Sequence, residues 1–470
     1  MSKVIFLNQP SVGHLNTLLN IASQMKEDGH SVQFLVPGIR GIRTGIQVFD
    51  TGNSIPDRIT QKGLACDLIP PHLSLIWNAF FLPYKSGYEE TIHAFNMFYQ
   101  GIEHNTRYIL KFIQEYCPDV LVTDFAFPAA SLAAEVAKIP YVVIYHSGLP
   151  FRGSGIPPFG SGLPIGDDYS NPSNEYVGRE NQFIEHLDRL VNNARRAFGL
   201  QPAEPDILRR PYSPWLNLVV SVTAMEAPRN NLTDNTFFIG PCFDKRSGEE
   251  QFPFDQLRSD KFKIYISLGT VFNNKPEVFA KIMRALDVPD YQVIVSAGGA
   301  YKKLQKSAIP KNATIYRSVP QTGLLNKIDL FISHGGNNSI NEALASGKPI
   351  IVMPVGGEQA DNASRIVYLG VGKRIDITRF SEKQLLGIVE EIRQTPTFQE
   401  QVLNIMNDLS STRGVATASR CIAWVAQQKK PLNNKKGIPL TITKDYLEQL
   451  ISLKSRPPIN NSSRNGHKSG

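Results

Sequence analysis

Short apolar runs alternate with longer stretches of helical periodicity along most of the chain. The first run, Val4-Ile5-Phe6-Leu7, leads through Asn8 to His14 into an amphipathic stretch from about Leu15 to Asp28 that stops at Gly29, and then into a second run from Ser31 to Val36. A short bounded apolar run suits a buried parallel strand and a glycine suits a helix end, so this opening predicts a strand-helix-strand unit with His14 in the turn after the first strand. The pattern returns at Val120 to Asp124, an Ala-rich helix to about Ala137 and a strand from Tyr141 to Tyr145. A helix from Gln182 to Phe198 and a strand from Leu218 to Val222, the last of a first domain, follow.

A second series starts with a strand at Phe262 to Leu268, a helix from Pro276 to about Ala285 and strands at Gln292 to Val295 and Thr314 to Tyr316. It continues with a strand at Leu330 to Ile332, a glycine turn, a helix, a strand at Pro349 to Met353, and helices from Gln359 to about Leu369, Ser381 to about Arg393 and Val415 to Gln428. Strands alternating with helices predict parallel sheets with ligand crevices at their carboxyl edges. Between Gly38 and Val120 the pattern is less regular. It offers a weak strand at Ile46 to Phe49, a ring-rich run from Leu73 to Tyr84 and one helix from Tyr88 to about Tyr116 carrying Phe95, Met97, Phe98 and Tyr99. A Pro- and Gly-rich loop spans Gly148 to Pro164.

Composition adds limits. At 470 residues, 41% hydrophobic and 20% charged, the chain is expected to fold as two soluble globular domains. Cys66, Cys117, Cys242 and Cys421 stand far apart, which argues against a disulfide framework or a zinc site and for buried thiols in a reducing cytoplasm. No secretory signal or membrane-spanning run is read. Nearly all of the net charge of +8 lies after position 428, where nine Lys and Arg face two acidic residues, so the body of the protein has no nucleic-acid footprint. That tail, 429–470, reads as basic and disordered, with apolar spacing at Leu447, Leu450 and Ile451 that suits a short amphipathic helix. Its charge allows peripheral contact with anionic lipid, although a solvated tail is the plainer reading.

Candidate chemistry concentrates in His334-Gly335-Gly336-Asn337-Asn338-Ser339 to Glu342 and in Gly356-Gly357-Glu358-Gln359. A helix opening onto the glycine turn presents unpaired N–H groups and its positive dipole end to an anion, with His334, Asn338 and Ser339 as extra donors. Glu342 falls one turn deeper on the face of Ser339, where a carboxylate can hold a ribose diol. Glu358 and Gln359 suit sugar hydroxyls, and Thr270, in the Ser-x-Gly-Thr turn after the 262–268 strand, can donate to phosphate. In the first domain, adjacent strands would bring His14 and Asp124 to one sheet edge, where the carboxylate can orient the imidazole and leave its other nitrogen as a base. His72, His93, His104, His146 and His186 read as structural residues.

These residues resemble those of nucleotide-sugar-dependent glycosyltransferases of the GT-B fold, glycosyltransferase family 1, especially the UDP-glycosyltransferases of the bacterial macrolide-type branch. The resemblance implies two doubly wound Rossmann-like α/β domains facing across a cleft. They are an acceptor-binding domain at 1–238 and a nucleotide-sugar-binding domain at 263–410, joined by a linker at 239–262. A helix at 411–428 is expected to pack back on the first domain. It also implies that His334, Gly336, Asn338 and Ser339 hold the diphosphate, Glu342 the ribose and Glu358 with Gln359 the donor sugar. His14 serves as base and Asp124 as its partner, and the 73–84 and 88–116 regions line the acceptor pocket. Two departures stand out. The run Ser318-Val319-Pro320-Gln321 puts serine where the family often has a base-stacking tryptophan, leaving uracil, thymine or another base open. Asn16-Thr17-Leu18 lacks the family's proline after the histidine.

The expected activity is therefore an inverting transfer of a hexose, glucose by a weak preference, from a UDP-sugar to a hydroxyl of a small lipophilic acceptor such as a secondary metabolite. No Asp-x-Asp occurs to hold a metal under the diphosphate, so neither metal nor further cofactor is expected. A sugar-nucleotide epimerase of the same fold and a non-catalytic auxiliary protein are the alternatives. The acceptor's identity and the oligomeric state stay open.

Overall fold

Residues alternate sides along each strand, and in this chain both sides are apolar. In the first strand, Val4 and Phe6 pack into one core while Ile5 and Leu7 pack into another on the opposite face. A strand buried on both faces needs helices above and below it, and the computed structural model shows that arrangement twice. The structure describes residues 1–9, 12–38, 55–70, 72, 88–146, 148–203, 208–243, 252–269, 274–434 and 440–455.

The first sheet contains β1 (Lys3–Leu7), β2 (Ser31–Pro37), β3 (Ala65–Ile69), β4 (Val120–Asp124), β5 (Tyr141–Tyr145), β6 (Leu216–Val219), β7 (Thr236–Phe238) and β14 (Leu440–Thr441). Its spatial order is β14-β7-β6-β5-β4-β1-β2-β3, and every pairing is parallel. The second sheet contains β8 (Phe262–Ser267), β9 (Tyr291–Ser296), β10 (Ala313–Tyr316), β11 (Leu330–Ser333), β12 (Ile350–Val352) and β13 (Gly372–Arg374). Its order is β10-β9-β8-β11-β12-β13, again parallel throughout. The molecule is thus two doubly wound α/β domains of the GT-B type.

Several elements differ from their expected form. His14 lies in the first turn of the Val12–Glu27 helix and not in the preceding turn, because the helix starts earlier than its apolar face does. The helix expected over 88–116 is two helices, Tyr88–Gln100 and Ile102–Tyr116, parted at Gly101, where glycine ends one helical register and begins the next. The first sheet does not end near Val222; β7 and β14 extend it. The Pro396–Ser410 helix and β3 had no clear signal in the sequence. The expected strand at 46–49 and the ring-rich run at 73–84 lie outside the described residues.

The largest correction concerns the C-terminal tail. Residues 440–455 are ordered: β14 pairs with β7, and the Lys444–Ser455 helix buries Leu447 and Leu450 in the first domain's core. Arg420 and Glu448 pair across this contact at 3.0 Å. Few apolar residues suffice here because their partner surface, the Gly414–Gln428 helix, is already in place. That helix packs Ala418, Cys421, Ile422 and Val425 against Leu15, Leu18, Ala22 and Met25 of the first helix. Thr412 and Gly414, where the chain returns, touch Gly240 and Pro241, where it leaves. Gly240 has φ +82°, and a side chain there would strike Thr412. Cys242 and Cys421 are buried free thiols, but Cys117 is exposed and Cys66 half-buried, contrary to the expectation for all four. Cys117 caps a helix in left-handed conformation, a turn position that faces solvent. No helix among the described residues is long and apolar enough to cross a membrane.

Candidate active site

In the first sheet the chain runs outward from a central pair, β1 and β4, through β2 and β3 on one side and β5 to β7 on the other. Connections from neighbouring strands therefore leave toward opposite faces, and a crevice opens at their carboxyl ends. The register aligns Leu7 with Thr123, so the residues just past each strand meet there. His14 Nδ1 lies 2.8 Å from Asp124 Oδ2. The Asp124 side chain is fully buried, and its Oδ1 accepts the Ala126 N–H at 2.7 Å. Burial by itself would raise its pKa, but the two imidazoles beside it, His14 and His146, together with the hydrogen bonds from His14 and Ala126, hold it below the usual carboxylate range. An ionised acceptor favours an N–H on Nδ1 of His14 and directs Nε2 away from the carboxylate, with 20% of the side chain exposed. The Gln9 amide lies against the same ring, 3.4 Å from Nε2.

One residue read as structural belongs to this group. His146, just past β5, places Nδ1 3.3 Å from the same Asp124 oxygen, and its ring centroid is 3.6 Å from that of His14. Burial pushes its pKa down to about 3, with His14 adding to the effect and Asp124 opposing it, so the imidazole is neutral. The sequence carried a faint signal, since His146 ends a third strand at the same edge. Phe125 packs on both histidine rings and continues through Phe95 to Tyr99, Phe159 and Phe183. The aromatic residues of the 88–100 helix are thus largely core, with the edge of their cluster at the site. Among the described residues, His14, Asp124 and His146 are the group whose donor atoms lie close enough to hold a metal, within 4.8 Å of one another.

The second sheet repeats the layout, its strand order reversing between β8 and β11. His334 follows β11, and its ring lies between Gly269 and Gly336; a Cβ on either glycine would come within 2.6 Å of Nε2. Burial lowers its pKa to about 4 against the opposing effect of the Ser267 backbone, so it too is neutral. The Asn337–Ala345 helix opens at Gly336 with no side-chain cap, leaving its first N–H groups directed at the crevice. Asn338 and Ser339 occupy its first turn. Gln321 donates to Ser339 Oγ at 3.2 Å and to Glu342 Oε2 at 2.6 Å, while accepting from the Tyr265 hydroxyl at 3.1 Å. Ser339 and Glu342 are thereby joined on one helix face. Burial raises the Glu342 pKa, against the effect of Gln321. Ser318 is exposed and Val319 partly buried beside this group. Glu358 precedes the Gln359–Tyr368 helix, and Gln359 Oε1 accepts the Val355 N–H at 2.9 Å, which holds the intervening loop. Thr270 lies outside the described residues.

The two crevices face one another across direct contacts that no sequence pattern indicated. Asn337, first in its helix, donates its side-chain amide to the His146 carbonyl. Asp361, in the first turn of the 359–368 helix, accepts N–H groups of Gly160 and, at 2.8 Å, Gly162 from the Pro- and Gly-rich loop of the first domain. Ser364 and Arg374 both donate to the Gly162 carbonyl. Gly162 has φ +62°, and a Cβ there would meet that of Ala360 at 2.6 Å, so the loop approaches the helix as only glycine allows. Arg365 pairs with Glu226 at 3.3 Å and donates to Asn362 at 2.8 Å.

Two facing doubly wound domains, one with an imidazole–carboxylate pair and the other with an open helix N-terminus at its switch point, have the architecture of the GT-B class. The comparisons agree. Residues 214–427 match the family of UDP-glucoronosyl and UDP-glucosyl transferases. The NDP-glycosyltransferase YjiC of Bacillus subtilis (strain 168) is 25% identical over 425 residues, 88% of this chain and 95% of that protein. An uncharacterized UDP-glucosyltransferase of the same organism, YojK, is 30% identical over 214 residues, 46% of this chain and 53% of that protein. Among solved structures, the calicheamicin glycosyltransferase CalG4 superposes with a TM-score of 0.71 at 18% identity, over 92% of this chain and 100% of that one. The chain is thus similar to UDP-glycosyltransferases, with the family match confined to residues 214–427.

Proposed function

We propose that the protein moves a hexose, glucose, from UDP-glucose to a hydroxyl of a small lipophilic acceptor, with inversion at the anomeric carbon and without a metal or further cofactor. The observation that carries this reading is the pair of facing sites. On one side His14, whose Nδ1 is held by Asp124, leaves Nε2 as the atom that can take the proton of an acceptor hydroxyl. On the other, the N-terminus of the 337–345 helix with neutral His334, Asn338 and Ser339 can stabilise the charge that develops on a leaving diphosphate. Nucleophile and leaving group on opposite sides of the anomeric carbon make an in-line displacement, which inverts configuration.

Glu342 holds the ribose, Glu358 and Gln359 hold the hexose, and Ser318 with Val319 borders the base. The name UDP-glucosyltransferase borne by the YojK relative supports the donor, and the ring cluster that reaches Phe125 supports an apolar acceptor. Where a metal might carry the diphosphate charge in other enzymes, the helix dipole and neutral donors serve here. The test is incubation with UDP-glucose or dTDP-glucose, with and without phenolic, macrolide, sterol and carotenoid alcohols, in chelator, followed by mass spectrometry. An acceptor heavier by one hexose is expected, with UDP-glucose preferred. Donor epimerised without acceptor, or binding with no turnover across the panel, would overturn the reading.

A further inference from the structure

We propose that Arg365 is a positioning residue between the two sites, joining the glycine turn of the second crevice to the loop behind the first, so that a diphosphate bound at one orders the other. This rests on the reading of the 337–345 helix as the diphosphate site. The link can be followed from side chain to side chain. Asn362 donates to the Gly335 carbonyl at 2.9 Å, inside the turn that follows β11. Arg365 Nη1 donates to Asn362 Oδ1 at 2.8 Å, and its Nη2 stands 3.3 Å from Glu226 Oε1. Glu226 Oε2 lies 3.5 Å from Arg229 Nη2, and the Arg229 guanidinium donates to the Phe151 carbonyl and, at 3.2 Å, to the Leu149 carbonyl. The Phe151 ring packs on Tyr145, Tyr145 stacks on Phe125, and Phe125 stacks on His14.

The charged members of this chain of contacts are deeply enclosed. The side chains of Arg229, Glu226 and Arg365 are 4%, 5% and 10% exposed. Charges withdrawn from water to this extent cost more than apolar residues of similar size would, so stability alone does not account for them. A guanidinium supplies what an apolar group cannot, a planar set of donors that fixes several partners in one geometry. The partners lie on three separate segments. Arg365 belongs to the 359–368 helix, Glu226 and Arg229 to the connection between β6 and β7, and Leu149 and Phe151 to the start of the Pro- and Gly-rich loop. Val222 and Met225, just before Glu226, are buried in the second domain's core with Ala363 and Ile366 of that same helix, which fixes Glu226 against Arg365. Gly148 lies so close to the Arg365 guanidinium that a side chain there would collide with it. A shift of the Gly335 turn therefore bears on groups that are bonded or packed as far as the wall of the first crevice.

The test is hydrogen exchange read by mass spectrometry on the full chain, with and without saturating UDP or dTDP. It compares the wild type with Arg365→Met, Glu226→Gln and the double variant, alongside nucleotide calorimetry and melting curves. In the wild type, nucleotide is expected to protect 330–345, where it binds, and also 148–156 in the other domain. Each single variant should keep the first protection, lose the second and bind nucleotide about tenfold more weakly. The double variant should bind no more weakly than either single one, because both substitutions cut one link. Glu226→Gln preserves volume, so it decides the matter if Arg365→Met does not fold. Protection of 148–156 that persists in the variants would overturn the proposal, as would additive losses of affinity, or losses at both segments that follow a lower melting temperature. If neither nucleotide protects 330–345 in the wild type, the donor-site reading itself falls; if 330–345 is protected there and 148–156 is not, only the role of Arg365 falls.

Discussion

The two domains solve the same geometric problem with opposite electrostatics. Each is a parallel sheet whose strand order reverses at its centre, between β1 and β4 in one and between β8 and β11 in the other, and each carries a histidine just beyond the reversal. In the first domain that histidine faces a buried carboxylate that is held ionised, so the site is prepared to accept a proton. In the second, His334 faces no carboxylate among its recorded partners; it sits between two glycines at a helix N-terminus, is neutral, and the site is prepared to accept negative charge. In the reaction proposed, the same side chain is suited to two roles, and what separates them is the neighbour that the topology delivers, a strand-end aspartate or a helix dipole. Joined across the Asn337 to His146 contact, the two sites meet the two needs of a displacement reaction.

The contrast can be tested from either side. The largest effect is expected on the proton-accepting side: His14→Ala should lower kcat by roughly 10²- to 10⁴-fold while leaving donor affinity unchanged, as read by steady-state kinetics and donor titration. A mutant that lost donor binding instead would erase the division of labour. On the anion-accepting side, Gly336→Ala adds a Cβ within 2.6 Å of His334 Nε2 at a residue whose φ of −62° any amino acid adopts, so it displaces the ring without straining the backbone. Donor affinity is expected to fall about tenfold or more in calorimetry with the nucleoside diphosphate, with the acid limb of the pH profile unmoved.

The smallest effect concerns the contact that holds the two sites together. Burial raises Asp361 to about 6 even though Gly160 and Gly162 donate to it, so the closed form binds its proton more tightly than a solvated aspartate would. Its contribution to stability is full below the ordinary carboxylate range and is lost as pH rises through about 6. Melting curves at pH 5 and 7.5 should therefore separate less in Asp361→Asn than in the wild type, where Glu180, raised by burial to about 7, continues to contribute in the same direction.

Much of this was legible in the sequence because parallel strands buried on both faces are written as apolar runs. Tyr141 to Tyr145 and the helix at Pro276 to Ala285 fall where the pattern predicts them, and Asp124 is visible as a polar residue ending such a run. The His334 to Glu342 stretch was readable for a different reason: a glycine turn and the helix after it are contiguous, so their shared chemistry shows in spacing. His146 was passed over because its partner stands 22 positions earlier and the link exists only where β4 and β5 pair. Asp361 had no visible purpose, since the N–H groups it accepts belong to a loop about 200 residues away. The tail misled because its composition is polar and its two useful apolar residues, Leu447 and Leu450, gain their value from a helix elsewhere.

The sequence by itself determined what depends on neighbours along the chain: two series of strands and helices, the glycine turns, the open helix at Gly336 and the candidate residues at each strand end. Periodicity and turn chemistry are local, and they need no knowledge of packing. Only the tertiary structure decided that Asp124 serves two imidazoles, that Gln321 couples Ser339 to Glu342, and that Asp361 and Asn337 bind one domain to the other. Charge, burial and hydrogen-bond partners are set by distance in space, and in a doubly wound sheet that distance is fixed by strand order, which brings remote segments together at one edge.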